Sequence, residues 1–110
     1  MTSRRVFVVW ANPLFRDSVL MLLKHPDVEC VGVTDDGAAV AGDILSATPD
    51  TVLMEEAGGR LSREAITLLE DTDFKGRLVS VSLTANRLRV YRREERVAVK
   101  AEDLLRLILS

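Results

Sequence analysis

Short apolar runs rich in β-branched residues alternate with amphipathic stretches along the first eighty residues of this chain. The apolar runs are typical of buried strands, and the longer stretches between them have the spacing of helices. The predicted strands are Arg5–Val9, Val28–Thr34, Thr51–Met54 and Leu78–Ser82. The predicted helices run from Pro13 to about Lys24 and over Ala38–Ala47 and Arg63–Glu70. This alternation indicates a parallel sheet with right-handed crossovers.

The junction after the first predicted strand has clear helix-start chemistry. Asn12 is a favourable N-cap, and Pro13 takes the first helical position, where its missing N–H costs nothing. The inward face of this helix is expected to carry Leu14, Val19, Leu22 and Leu23, and that of the third helix Ile66 and Leu69.

The pattern changes to period two after Ser82. Apolar residues alternate with arginines or other polar residues over Arg87–Tyr91 and again over Arg96–Lys100, which predicts a β-hairpin with one buried and one basic face. A strongly apolar final helix is expected over Ala101–Leu109. We predict one domain, residues 1–110, with a three-layer, doubly wound, mostly parallel α/β sheet in strand order 2-1-3-4-5-6. The alternative order places the antiparallel strand outermost.

Composition and charge are those of an ordinary soluble domain, with 47% hydrophobic and 29% charged residues. No apolar run approaches the ~20 residues of a membrane span, so we expect a cytoplasmic protein without membrane contact. The lone cysteine, Cys30, lies in an apolar run and is expected to be an inert core thiol. The formal net charge of −2 conceals six basic and two acidic residues between Asn86 and Lys100.

Several stretches together resemble a known family. They are "RVFVVWANPLFRDSVLMLLKHPDVECVGVTDDGAAV", "PDTVLMEE", "LVSVSL" and "VAVKAEDLL". The chain is similar to the receiver (CheY-like) domains of bacterial two-component response regulators, particularly the NarL/LuxR type that precedes a helix-turn-helix output domain. This resemblance implies the doubly wound receiver fold.

The resemblance also assigns chemistry to particular positions. In the family, an acidic, magnesium-binding pair stands at the positions that Trp10 and Ala11 occupy here, and a phosphoryl-accepting aspartate stands at the position of Glu55. The family's hydroxyl switch residue corresponds to Ser82, and its lysine to Lys100. Trp10 and Ala11 offer no oxygen ligands, and glutamate moves the acceptor oxygen outward by one methylene, about 1.5 Å. We therefore expect no metal, no cofactor, no enzymatic activity and no magnesium-dependent phosphorylation. Glu55 could act as a partial phosphoryl mimic, with Lys100 or Ser82 as its partner.

The resulting hypothesis is a degenerate receiver that works through protein contacts. Its interaction face is expected on the hairpin and the last helix, and the leading partner is a second copy of the chain, although the basic face could instead select an acidic partner. The predicted face comprises Arg87, Arg89, Tyr91, Arg92, Arg93 and Arg96. Two alternatives stay open: a nucleic-acid-associated module that uses the arginines, which the acidic overall charge disfavours, and a small-molecule sensor at the cleft near Trp10, Asn12 and Ser82.

Overall fold

The computed structural model describes residues 3–35, 40–56, 63–71, 73–82, 85–92, 95–99 and 104–109, with the backbone alone for Val40, Ala41, Glu64, Arg92 and Glu95–Val99. The strands are β1 (Arg4–Trp10), β2 (Val28–Asp35), β3 (Thr51–Glu55), β4 (Arg77–Ser82), β5 (Arg87–Arg92) and β6 (Glu95–Val99). The helices are α1 (Pro13–Leu22), α2 (Val40–Ala47), α3 (Arg63–Glu70) and α4 (Leu104–Leu109).

All six strands form one sheet in the order β2-β1-β3-β4-β5-β6. The pairs among β1 to β4 are parallel, whereas β5 runs antiparallel to both β4 and β6. The predicted strand order and hairpin are therefore confirmed. The alternative with the antiparallel strand outermost is wrong, because β5 lies between β4 and β6.

Apolar side chains pack on both faces of the sheet. One core joins the sheet to α1 and α4, and the other joins it to α2 and α3. The first core includes Val6, Val8, Phe15, Val19, Leu53, Val79, Val81, Leu88, Val90, Leu104 and Ile108. The second includes Phe7, Val9, Ile44, Val52, Met54, Ala65, Leu68, Phe74, Leu78 and Tyr91.

The inward face of α1 differs from the predicted one. Phe15, Val19 and, just after the helix, Leu23 are buried at the spacing i, i+4, i+8, which forms one stripe along a helix. Leu14 is 73% exposed and Leu22 48% exposed. Each lies one residue, about 100°, away from a member of the buried stripe. The prediction was correct for Val19 and Leu23 and wrong for Leu14 and Leu22.

Two other burial predictions also need correction. On α3 the buried residues are Ala65 and Leu68, while Ile66 is 45% exposed and Leu69 only packs against the margin of the core. Cys30 is exposed, because it lies on β2 at the edge of the sheet. It is therefore not the core thiol that its apolar surroundings in sequence suggested.

Two arginines at the amino-terminal ends of strands hold helix carboxyl termini against the sheet. Arg77 is 8% exposed, and its guanidinium donates to the Thr51 hydroxyl at 3.0 Å and to the carbonyls of Leu107 and Ile108 in α4. Arg5 Nη2 donates to the carbonyl of Ala47, the last residue of α2, at 2.7 Å. Both cations meet carbonyls of the last helical turn, at the negative end of a helix dipole. Among the described residues, no helix is long and apolar enough to cross a membrane.

Candidate functional site

The junction of β1 and α1 lies at the carboxyl edge of the parallel strands, where ligand sites of open α/β sheets usually occur. Asn12 has an extended backbone, and its Oδ1 accepts a hydrogen bond from the Leu14 N–H at 2.8 Å. Pro13 opens the helix. The predicted N-cap and first helical residue are therefore both confirmed, and the loop that presents Trp10 and Ala11 is well defined.

Glu55, at the end of β3, closes this junction from the neighbouring strand. Its Oε1 accepts hydrogen bonds from the backbone N–H of Ala11 at 3.1 Å and of Asn12 at 2.9 Å. Since β1 and β3 are adjacent and parallel, their carboxyl ends meet at one edge and bring the three residues together. The carboxylate is thus anchored to the loop in which the family resemblance implies a metal-binding acidic pair.

The residues at this junction do not fit a divalent cation. Magnesium requires near-octahedral oxygen coordination from carboxylates, carbonyls or water. Trp10 and Ala11 supply no side-chain oxygen, and Glu55 Oε1 is already engaged by two N–H donors. Within the described part of the chain, no group of three His, Cys, Asp or Glu side chains is arranged to hold a metal. We therefore assign no metal-dependent step to this site.

Glu56, the residue after β3, forms an ion pair at this site. Its Oε1 lies 2.6 Å from Arg87 Nη2 on β5, and its side chain is only 5% exposed, against 36% for that of Arg87. Glu56 Oε2 and Arg87 Nε are buried, and no described residue supplies either with a hydrogen-bond partner. The sequence placed Arg87 on the interaction face and did not predict this pair. The predicted order of β3, β4 and β5 could have indicated it. Met54 pairs with Ser80 on β4, and Ser82 on β4 pairs with Arg87, so the residue that follows β3 lies close to the start of β5.

Ser82, the position equivalent to the switch residue, ends β4 and takes part in the turn to β5. Its hydroxyl oxygen accepts a hydrogen bond from the Ala85 N–H at 3.2 Å. Asn86 follows with φ of 49°, a left-handed conformation that asparagine tolerates better than most residues. Lys100 lies outside the described residues, and so a contact between it and Glu55 stays untested. The strand before it, β6, is separated from β4 by β5.

A shallow cleft of about 220 Å³ opens beside these groups. Its walls combine polar side chains at the strand ends with apolar side chains from α1. They comprise Asn12, Leu14, Phe15, Ser18, Glu55, Glu56, Val81 and Ser82. The guanidinium of Arg16 lies 4.8 Å from the centre of the Trp10 ring, within range of a cation–π contact. Trp10 packs against the first core and is not fully exposed.

The hairpin presents fewer of the predicted interface residues than expected. Tyr91 is 8% exposed and belongs to the second core, opposite Leu78 on β4, so its assignment to an exposed face is wrong. Arg87 and Arg89 are partly exposed. The backbones of Arg92 and Arg96 lie on β5 and β6, while Arg93 is outside the described residues.

Comparisons with known proteins support the fold and part of the resemblance. No family model matches the sequence, and no curated protein matches it significantly. A solved structure does match: the signal receiver domain of a protein assigned as the response regulator NarL of Mycobacterium tuberculosis, with 28% identity and a TM-score of 0.61. The match covers 73% of this chain and 66%, just under two thirds, of the NarL chain.

The order of the strands, the helices on both faces and this similarity identify a CheY-like receiver domain. The predicted family resemblance is confirmed at this level. In this chain an antiparallel strand, β5, follows β4, and the sheet continues to a sixth strand.

Proposed function

We propose that this receiver domain transmits signals through protein contacts and without phosphoryl transfer. The observation that supports it most strongly is the position of Glu55, whose carboxylate is hydrogen-bonded to the backbone N–H groups of Ala11 and Asn12. A conventional receiver needs its acceptor carboxylate to face a metal and an incoming phosphoryl group. Here the equivalent carboxylate already accepts hydrogen bonds from the N–H groups of the β1–α1 loop.

The charge balance at the site supports the same proposal. Phosphoryl transfer depends on positioning and on neutralisation of charge by metal ions and cationic side chains. Trp10 and Ala11 have no carboxylate that could bind a metal. Arg87, a cation near the strand ends, is paired with Glu56. Because Arg87 is already paired with Glu56, it would offer an incoming phosphoryl group little compensation for its charge.

A permanent role for Glu55 follows from the same contacts. A glutamate carries one negative charge where a phosphoryl group carries nearly two, and it has fewer acceptor oxygens. Its bond to the β1–α1 loop nevertheless joins β3 to the start of α1 in every molecule, regardless of any kinase. We therefore assign Glu55 a constitutive structural contact in place of a regulated one.

We also propose that the chain is not an enzyme. Glu55 and Glu56 have separate partners on opposite sides of β3 and do not form a paired acid and base. His25 Nδ1 accepts a hydrogen bond from the Asp27 N–H at 3.1 Å, which suits a turn after α1. Among the described residues, these groups do not assemble a nucleophile with a base and an orienting partner.

The hairpin remains the favoured contact surface, and its positive charge fits an anionic partner, for which an acidic protein is favoured over nucleic acid by the aromatic side chains. Binding of single-stranded nucleic acid usually combines a basic groove with exposed aromatic rings. Tyr91 is buried, and the Trp10 ring lies beneath Arg16. Homodimerisation through the hairpin and α4 stays a prediction. The approach of two strongly basic segments would oppose it.

The direct test is exposure of the purified chain to Mg²⁺ and a small phosphodonor, followed by intact mass measurement. We expect no species heavier by ~80 Da, the mass of one phosphoryl group. A phosphorylatable receiver treated in parallel serves as the positive control. A stable adduct that peptide mapping assigns to Glu55 would contradict the proposal.

A further inference from the structure

The two edges of the sheet differ in how they resist further pairing. Exposed edge strands are normally protected by bulges, charges, prolines or a covering element. On β2, Val31 is an extra residue in the ladder, because Val6 pairs with Cys30 and Phe7 with Gly32. Gly32 permits a close approach there, since a Cβ atom would lie 2.3 Å from the Phe7 ring. The β2 edge therefore carries a bulge.

The opposite edge, β6, is regular. Its five residues pair one to one with β5, from Glu95 opposite Arg92 to Val99 opposite Leu88, without a register shift. The strand contains no proline. Among the described residues, the sheet ends at β6. Alternate backbone N–H and C=O groups of an edge strand point away from its neighbour, and so β6 offers a ladder for one more strand.

Charge indicates what kind of strand fits this edge. The segment from Asn86 to Lys100 has a net charge of +4, against −6 for the rest of the chain. The backbone register places Arg96 of β6 opposite Tyr91 of β5, and Ala98 opposite Arg89. Glu95, Val97 and Val99 occupy the alternate positions. An added strand that alternates acidic and apolar residues would match the alternation of Arg96 with Val97 in the sequence of β6.

We propose that β6 binds an extended acidic segment of a partner protein by β-strand addition. Main-chain hydrogen bonds would supply affinity, and the alternation of acidic and apolar side chains would supply specificity. This inference rests on the proposed function, because it names the surface and the chemistry of the partner. It adds a requirement that the proposed function lacks: the partner binds through its backbone.

The probe is a fluorescein-labelled peptide with the repeat Glu-Val-Glu-Val-Glu-Val-Glu, titrated with the full chain and followed by fluorescence anisotropy. We expect saturable binding that weakens roughly 3- to 10-fold between low and high salt, since exposed charges are screened. A peptide of the same composition with its glutamates in one block is expected to bind at least about 5-fold more weakly, because it cannot separate the two faces.

Two N-methylated peptides test the backbone contact without changing the protein. One is methylated on every glutamate nitrogen and the other on every valine nitrogen. In a strand these two sets of N–H groups point to opposite sides. Strand addition predicts that one peptide loses binding and the other keeps it. Equal binding by both would indicate charge attraction alone and would overturn the proposal.

Charge variants of the protein provide the second arm. Arg96→Glu is expected to lower peptide affinity about 10-fold, whereas Arg63→Glu, an equal charge change on exposed α3, should leave it within about 2-fold. Circular dichroism confirms that both variants fold. If Arg63→Glu weakens binding as much as Arg96→Glu, the site is not β6.

The chain's own assembly state supplies a further check. Sedimentation equilibrium is run with and without the peptide. We expect that the peptide does not have to displace a dimer of the chain in order to bind. A dimer that excludes the peptide from β6 would assign this edge to a second copy and contradict the acidic partner. The mass experiment on phosphorylation does not involve β6, and so failure of the peptide arm and failure of the proposed function can be told apart.

Discussion

Arg87 Nη2 lies 2.6 Å from Glu56 Oε1, and this ion pair connects the end of β3 to the first residue of the hairpin. The Glu56 carboxylate is almost fully buried, while Arg87 keeps about a third of its surface in solvent. The pair reaches across β4, because that strand lies between β3 and β5 in the sheet. It therefore stabilises the placement of the hairpin relative to the receiver core.

A double-mutant cycle on this pair should show strong coupling. Arg87→Met leaves the Glu56 carboxylate buried without a cation, and we expect the free energy of unfolding to fall by about 1–3 kcal/mol after allowance for the exposed side of the pair. Glu56→Gln should cost about 1 kcal/mol. The loss in the free energy of unfolding of the double variant should be smaller than the summed losses of the two single variants by ~0.5 kcal/mol or more. Urea denaturation measures all three losses.

The matched control is the exposed pair of Arg16 and Asp17, 3.1 Å apart with Asp17 66% exposed. Asp17→Asn should change stability by less than ~0.5 kcal/mol. Additive effects of Arg87→Met and Glu56→Gln would show that the two side chains do not depend on each other.

The anchoring of Glu55 predicts a stability cost when its charge is removed. Glu55→Gln keeps an oxygen acceptor for the N–H groups of Ala11 and Asn12 but weakens both bonds, so we expect a loss of about 1 kcal/mol. Glu55→Ala removes the acceptor and should cost more. Glu70→Gln on the exposed surface of α3 is the control and should be nearly neutral. Urea midpoints for Glu55→Gln and Glu70→Gln that coincide would rule out a structural role for the carboxylate.

Much of this fold could be predicted from periodicity, because strand and helix periods are set by local burial. The period-two pattern of Arg87–Tyr91 predicted the hairpin correctly. The same reasoning failed for Tyr91, since alternation says which residues share a face but not what covers that face. The face of Tyr91 is covered because the second core continues across Leu78 onto β5.

The candidate site was harder to predict, since its contacts join residues that are distant in sequence. Trp10, Ala11 and Glu55 were expected together from the resemblance, yet nothing in the sequence indicated that the glutamate would bond to the loop backbone. The Glu56–Arg87 pair required the register of three strands. The sequence pattern gave no indication of the role of Arg77, because two of its partners are backbone carbonyls of α4.

Arg77 provides a test of how α4 is held on the sheet. Arg77→Met preserves much of the side chain's volume but removes its bonds to the Thr51 hydroxyl and to two α4 carbonyls. We expect a loss of about 2–4 kcal/mol in the free energy of unfolding. Arg4→Met is the control, because Arg4 makes a longer, exposed contact of 3.4 Å with the carbonyl of Leu109 and should contribute under ~1 kcal/mol. Equal losses for the two variants would show that burial of Arg77 has no special importance.

Cys30 offers a pH-dependent prediction at the β2 edge. Although Cys30 is exposed, the surrounding protein partly desolvates its thiol and so raises the pKa, and hydrogen bonding to the backbone of Gly32 opposes this shift only in part. The folded state therefore favours the neutral thiol, so the stability from this group is present below the ordinary cysteine pKa and is lost as pH rises through the higher folded value. Because the thiolate is the nucleophile, alkylation by iodoacetamide should reach half its maximal rate at a higher pH in the folded chain than in the same chain unfolded in urea. Cys30→Ser should abolish the reaction, as Cys30 is the lone cysteine of the sequence. A folded midpoint at or below the unfolded one would show that the protein does not desolvate this thiol.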